Sequence, residues 1–296
     1  MISIDRPFAA ERVSLKLPGA VRLRVRRTDG DDTIAIRSDS GDPEDLKVTE
    51  RDGTLRVKHE DRCAGRAAYD VEIHSREPID LRVAAPRLEL LAEQDLGSID
   101  LAAGAVAVEL GRVGDVKVVA KSGEVRIDEL DGERAFIASA SADVVVDRCY
   151  ASLDTRMGTG DLRVGVLAAP LAARSATGDV EAEWAGADVQ VRSGSGAVSV
   201  GVRDDIATWL DLYSGTGHVE VDVPPSEPPA EDEPYVAISI ATGTGNIRIF
   251  RADDPDDNDE APGNSTDSPD TTENPKTHGN PKTNGKAQDD DSTGSP

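Results

Sequence analysis

Four acidic residues, Glu124, Asp143, Asp161 and Asp179, each follow a recurring small residue by one position: Gly123, Ala142, Gly160 and Gly178. The same column begins at Ala105 and continues through Ala197, His218 and Asn246. Carboxylates gathered along one edge are what a hard cation or an acid-catalysed glycan cleavage requires. A plainer chemistry is also open to them: Asp or Asn beside glycine accepts hydrogen bonds from turn N–H groups through its own side chain. The column breaks at Ala197, where a site would need continuity, so the turn role is the expectation. The calcium-binding nonapeptide Gly-Gly-x-Gly-x-Asp does not fit Gly158-Thr-Gly-Asp-Leu-Arg-Val. Its acid stands two places after the last glycine, not one, and its period is half the eighteen residues seen here.

The column just before the glycines reads Ser122, Ser141, Thr159, Thr177, Ser195, Thr216 and Thr244, and its hydroxyls are expected to bond within the turns. Paired Thr-x-Thr rows, which an ice-binding face needs, are absent. The four histidines (His59, His74, His218, His278) share no metal spacing, and Cys63 and Cys149 read as two separate thiols. Trp184 and Trp209 read as rings closing the corner of a thin core, with sugar stacking as the functional alternative. No Gly-x-Ser-x-Gly elbow, phosphate loop or dinucleotide fingerprint occurs. No residue is assigned a catalytic, cofactor-binding or metal-ligating role, and no cofactor is expected.

The elements that carry these columns are repeated. Gly160, Gly178 and Gly196 lie eighteen residues apart. Each is followed by an alternating apolar pair (Leu162/Val164, Val180/Ala182, Val198/Val200) and preceded by another (Leu153/Thr155, Leu171/Ala173, Val189/Val191). One unit is therefore two short period-2 strands and two tight turns, a coil of a β-solenoid. The pattern extends over eight coils with reference positions Gly104, Gly123, Ala142, Gly160, Gly178, Gly196, Gly217 and Gly245, taken to stack in chain order. On the outer face this places Arg163 beside Glu181 one coil on. Two longer intervals mark insertions, one at Arg203-Asp-Asp-Ile-Ala and one at the proline-rich acidic stretch 224–234.

Three segments follow: 1–90, a β region that caps or begins the solenoid, with Arg51-Asp-Gly at a hairpin; 91–251, the solenoid; and 252–296, an acidic tail. The tail holds twelve acids against three lysines and no Val, Ile, Leu or aromatic residue, so disorder is expected there. Overall the chain has 296 residues, 3% aromatics and a net charge of −24, which fits a thin aliphatic core and disfavours nucleic acid or an anionic membrane as partner. No apolar run is long enough to span a bilayer. The N-terminus shows no basic-then-apolar leader, so a cytoplasmic location is expected.

With the coils laid out, the chain resembles the bacterial DUF4097 family of adhesin-like proteins. The resemblance rests on the Ser/Thr-Gly-Asp-Val-x-Val units, the lead-in Phe8 to Leu17 and the segment Ala207-Thr-Trp-Leu-Asp-Leu, and covers residues 1–251. It implies a β-solenoid and supplies no catalytic residues. The expected function is a non-enzymatic scaffold or interaction protein with an unidentified protein or glycan partner. The alternative is a carbohydrate-binding or carbohydrate-active β-helix.

Overall fold

Strictly alternating Val, Leu and Ile separated by tight turns can bury one face only if strand is laid on strand, and the protein does this throughout. A computed structural model describes residues 2–39, 45–60, 67–224 and 234–252. The tail from 253 and residues 225–233 of the second insertion lie outside them, as do Cys63 and His278, so the disordered-tail expectation does too. The described residues form twenty strands in one continuous sheet. They are β1 (Ile2–Pro7), β2 (Arg12–Lys16), β3 (Ala20–Arg27), β4 (Thr33–Ser38), β5 (Leu46–Arg51), β6 (Thr54–His59) and β7 (Ala68–Ser75). Next come β8 (Asp80–Ala92), β9 (Leu96–Leu130), β10 (Arg134–Cys149), β11 (Ser152–Thr159), β12 (Leu162–Leu167), β13 (Leu171–Thr177) and β14 (Val180–Ala185). The chain ends with β15 (Val189–Ser195), β16 (Val198–Val202), β17 (Ala207–Ser214), β18 (Val219–Asp222), β19 (Tyr235–Thr242) and β20 (Ile247–Arg251).

Each coil is a rung of two strand segments, and the rungs stack as two parallel ladders around one apolar core. The first ladder runs β6–β2–β8–β9–β10–β11–β13–β15–β19–β17. The second runs β7–β3–β8–β9–β10–β12–β14–β16–β20–β18. The expected alternation holds: Val198 and Val200 are buried while Ser199 between them is not. The glycine column is demanded twice over. Gly178 sits at φ 126°, and a Cβ there would lie 2.0 Å from the carbonyl oxygen of Gly160 in the rung beneath.

The departure from the sequence reading is the order of rungs at the ends of the stack. Rungs do not follow chain order there. β19 and β20 lie between β15/β16 and β17/β18, so the last rung in the chain is the penultimate rung in space. The glycines record the same exchange, because a Cβ on Gly245 would meet Gly196 O and one on Gly217 would meet Gly245 O. The physical reason lies in composition. Val236, Ile238, Ile240, Ile247 and Ile249 suit a rung flanked on both sides. The short, acidic Val-Glu-Val-Asp of β18 suits an edge. The long insertion before Tyr235 gives the chain the length to cross over.

At the other end, residues before 90 supply rungs of their own: β2/β3, β6/β7 and β8 carry the stack beyond Leu96, with β2/β3 again slipped between its later neighbours. Residue type hid this period more than spacing did: Pro86, eighteen residues before Gly104, and Ala67 take the reference place without glycine, and Gly19 lies far outside the eighteen-residue interval. The outer rung is closed by antiparallel strands: β5 on β6, β4 on β7, and β1 on β4. β5 and β6 are joined by Asp52-Gly53, both at positive φ, as a two-residue hairpin needs.

Candidate functional site

Stacking in register brings the acidic column together, and its side chains are already engaged. Oδ1 of Asp143 accepts the N–H of Asp161 at 3.0 Å, that of Asp161 accepts the N–H of Asp179 at 2.8 Å, and that of Asp179 accepts the N–H of Ala197 at 2.7 Å. Asn246 does the same for His218 at 2.9 Å, which again places rung 245 beneath rung 217. Glu124 turns to Arg126 at 3.0 Å instead. The three aspartates thus each cap the next turn, as expected, and Glu124 does not. The opposite turn of the coil uses the same device: Asp80 accepts from Ser98, Asp115 from Glu133 and Arg134, and Asp188 from Ala237. No three His, Cys, Asp or Glu side chains among the described residues are grouped to hold a metal ion.

The hydroxyl column is corrected by two places. Turn bonding falls mainly to Ser139, Ser175, Ser193, Ser214 and Thr242, with Ser175 Oγ donating to Thr177 O at 3.0 Å and Ser193 Oγ to Ser195 O at 2.9 Å. These residues sit on the inward face, where folding back onto the turn gives a hydroxyl its hydrogen-bond partner. From the expected column, Thr159 Oγ1 donates to Ala140 O at 3.4 Å. Cys149 is buried and donates to Ala151 O, and burial pushes its thiol up to about 11, so it stays protonated and unreactive at neutral pH. Trp184 packs half-buried beneath the Arg203 guanidinium, 5.2 Å from it. Trp209 closes no corner; it is 62% exposed on β17.

Ion pairs organise the outer faces. Arg22 lies between Asp70 and Glu89, Lys117 and Arg82 share Asp100, and Arg163 meets Glu181 at 2.7 Å as expected. Hydrogen bonding and the charge of Glu181 hold the Arg163 guanidinium above its ordinary range. In these columns the sign of charge changes from rung to rung. One column differs: Arg156, Arg174 and Arg192 stand directly above one another on β11, β13 and β15, all exposed. Arg156 has Asp154 at 3.3 Å and the Phe136 ring at 5.3 Å, whereas Arg174 and Arg192 have no acidic partner among the described residues. Beside them runs a strip of small residues, Ala140, Gly158, Ala176 and Gly194, kept small because a Cβ on either glycine would meet the carbonyl below at 2.5 to 2.6 Å. The result is a strip of small residues with guanidinium groups along one side at strand spacing, about 4.8 Å. Sequence reading missed it because it followed the columns beside the glycines and not those on the strand face.

Among the described residues no helix is long and apolar enough to cross a membrane. Solved structures with similar chains include a candidate adhesin from Bacteroides fragilis, 15% identical, covering 84% of this chain and 97% of its own, with a TM-score of 0.43. A candidate lipid-binding protein from Parabacteroides distasonis is 13% identical, covers 84% of this chain and 97% of its own, and has a TM-score of 0.44. A candidate cell adhesion protein from Clostridium sporogenes is 12% identical, covers 84% of this chain and 98% of its own, and has a TM-score of 0.21. No curated protein matches the chain. The family model that does match, Toastrack DUF4097, spans residues 10–255, most of the stack and both of its exchanged ends, and the chain belongs to that family.

Proposed function

We propose that this protein is a non-enzymatic, adhesin-like scaffold that holds an anionic partner against the arginine column of its first ladder. The observation that carries the reading is the run Arg156–Arg174–Arg192, where three exposed guanidinium groups follow one another on neighbouring strands and the last two have no acidic partner among the described residues. Stacked guanidinium groups repel, and a ligand bearing acid groups at a similar repeat relieves that repulsion while gaining charge-assisted hydrogen bonds, each worth about 1.5–3 kcal/mol. A polyuronate carries one carboxylate per sugar and can lie along the strip of small residues, across the strands. The net charge of −24 opposes this at long range, so the attraction is one of contact and not of steering. The acidic column is spent on its own turns, which weighs against the carbohydrate-cleaving alternative.

Binding of the full chain to immobilised polygalacturonate, with neutral dextran as control, tests the reading. Wild type is expected to bind the acidic polymer only. Arg174→Glu/Arg192→Glu, exposed and without partners to lose, is expected to keep its melting temperature and to bind at least about tenfold more weakly, the equivalent of 1.4 kcal/mol. Equal binding by the two proteins would remove the arginine column from the function.

A further inference from the structure

The two ends of the stack are treated in opposite ways. At the end built by β6 and β7, Leu55, Val57, Tyr69, Val71 and Ile73 are all at most 1% exposed, because β5 and β4 lie over the rung's edges. At the end built by β17 and β18 the inward positions are open. Val219 and Val221 point toward the core axis yet are 38% and 45% exposed, and Leu210 and Leu212 are only half-buried. Trp209, Tyr213 and, one rung in, Tyr235 add exposed rings at the same place. Trp209, Leu210, Val221, Val223 and Pro224 line a hollow of about 360 Å³ there. Among the described residues no strand pairs with the outer edge of β17 or of β18, so two rows of backbone donors and acceptors are open together. Bare edges over an uncovered core are what arrays normally cap.

Two segments outside the described residues have a composition poorly suited to such a cap. Residues 225–233 read Pro-Ser-Glu-Pro-Pro-Ala-Glu-Asp-Glu, and residues 253–296 contain no Val, Ile, Leu, Met or aromatic side chain. Neither has apolar surface to lay on the core, and the prolines of the first lack the N–H that strand pairing uses. What fits is a body presenting two strand edges at once, one for each ladder, with an apolar centre between them. We infer that this body is a second copy of the same chain, joined end to end through the β17/β18 rung about a two-fold axis. The axis sets the two terminal rungs antiparallel, Val219, Val221, Leu210 and Leu212 of one copy against those of the other, with the aromatic rings at the rim. At the end built by β6 and β7 the core is covered by β4 and β5, so that end offers no apolar face for head-to-tail growth and the assembly stops at two. Asp211, Glu220 and Asp222, on the outer faces of the terminal rung, approach their own copies, so the contact strengthens when salt screens them.

Sedimentation equilibrium on the full chain at high micromolar concentration, in low salt and in about 1 M salt (Debye length about 3 Å), reads this directly. The expected result is a monomer–dimer equilibrium, with the dimer at twice 31.2 kDa and populated more at high salt. Val221→Asp, at a position exposed in the monomer, is expected to weaken association at least tenfold with its melting curve retained, and Trp209→Ala less so. A chain that stays monomeric in both salts overturns the inference, as does a dimer unmoved by Val221→Asp/Val219→Asp, or an open series of higher oligomers. If Val221→Asp fails to melt cooperatively, Trp209→Ala and a truncated rim at Tyr213→Ala decide by the same shift. Binding of polygalacturonate by a monomeric variant keeps this result separate from the arginine-column reading.

Discussion

Asp161 shows how a residue that looks like a ligand is held to a structural task. Its Oδ1 takes the N–H of Asp179 across one rung, and its own N–H is taken by Asp143. Asn keeps a carbonyl oxygen at that place and lowers the charge of the column, so Asp161→Asn is expected to change stability by no more than about 0.5 kcal/mol. Asp161→Ala strands the N–H in a half-open turn and should cost about 1 kcal/mol. Millimolar calcium is expected to leave the melting temperature of wild type where a matched ionic strength leaves it. A calcium-dependent rise that Asp161→Asn abolishes would mean a ligand site in the column. This role was readable in the sequence, because Gly-Asp at a fixed place in a tight turn has a local solution. The role of Ser175 and Ser193 was not, since an inward hydroxyl that folds back on its turn differs from a core alanine only in three dimensions.

At the scale of elements, alternation fixes which face of a strand is buried but not which strand lies beside it. Val198 is buried in β16 between Val180 and Ile247, while Ser199 faces out. Val198→Asp places an unpaired charge in the core and is expected to cost several kcal/mol or to prevent folding, against about 0.5 kcal/mol or less for Ser199→Asp; urea unfolding of the two variants compares them. Equal costs would refute the register. The inward positions named from the sequence follow the observed burial up to the terminal rung. There Leu210, Leu212, Val219 and Val221 obey the same alternation yet stay open, because burial at that place depends on a neighbour. Rungs β17/β18 and β19/β20 carry interchangeable patterns, so their exchange left only indirect traces: the length of the insertion at 224–234 and the acidity of β18.

For the whole molecule, rung order decides what the surface is. With β17 and β18 outermost, the stack has one closed end, one open end and a flank carrying three aligned arginines. Two copies joined at the open ends would present two such flanks on one rod and bind a long anionic polymer with the gain in apparent affinity that paired sites confer. Stacking in chain order would bury the aromatic rung and expose β19 and β20 instead. Cross-linking separates the two arrangements most directly. Gln190 and Ser239 are register partners on neighbouring strands, whereas Gln190 and Asp211 are two strand spacings apart, about 9.6 Å. A disulfide does not bridge Cα atoms more than about 7 Å apart. In a Cys63→Ser background, where Cys149 is buried, Gln190→Cys/Ser239→Cys is expected to oxidise to an intramolecular disulfide in the folded protein, and Gln190→Cys/Asp211→Cys is expected to stay reduced. The reverse outcome, a bond from position 190 to 211 and none to 239, would contradict the exchanged rungs and the open end together.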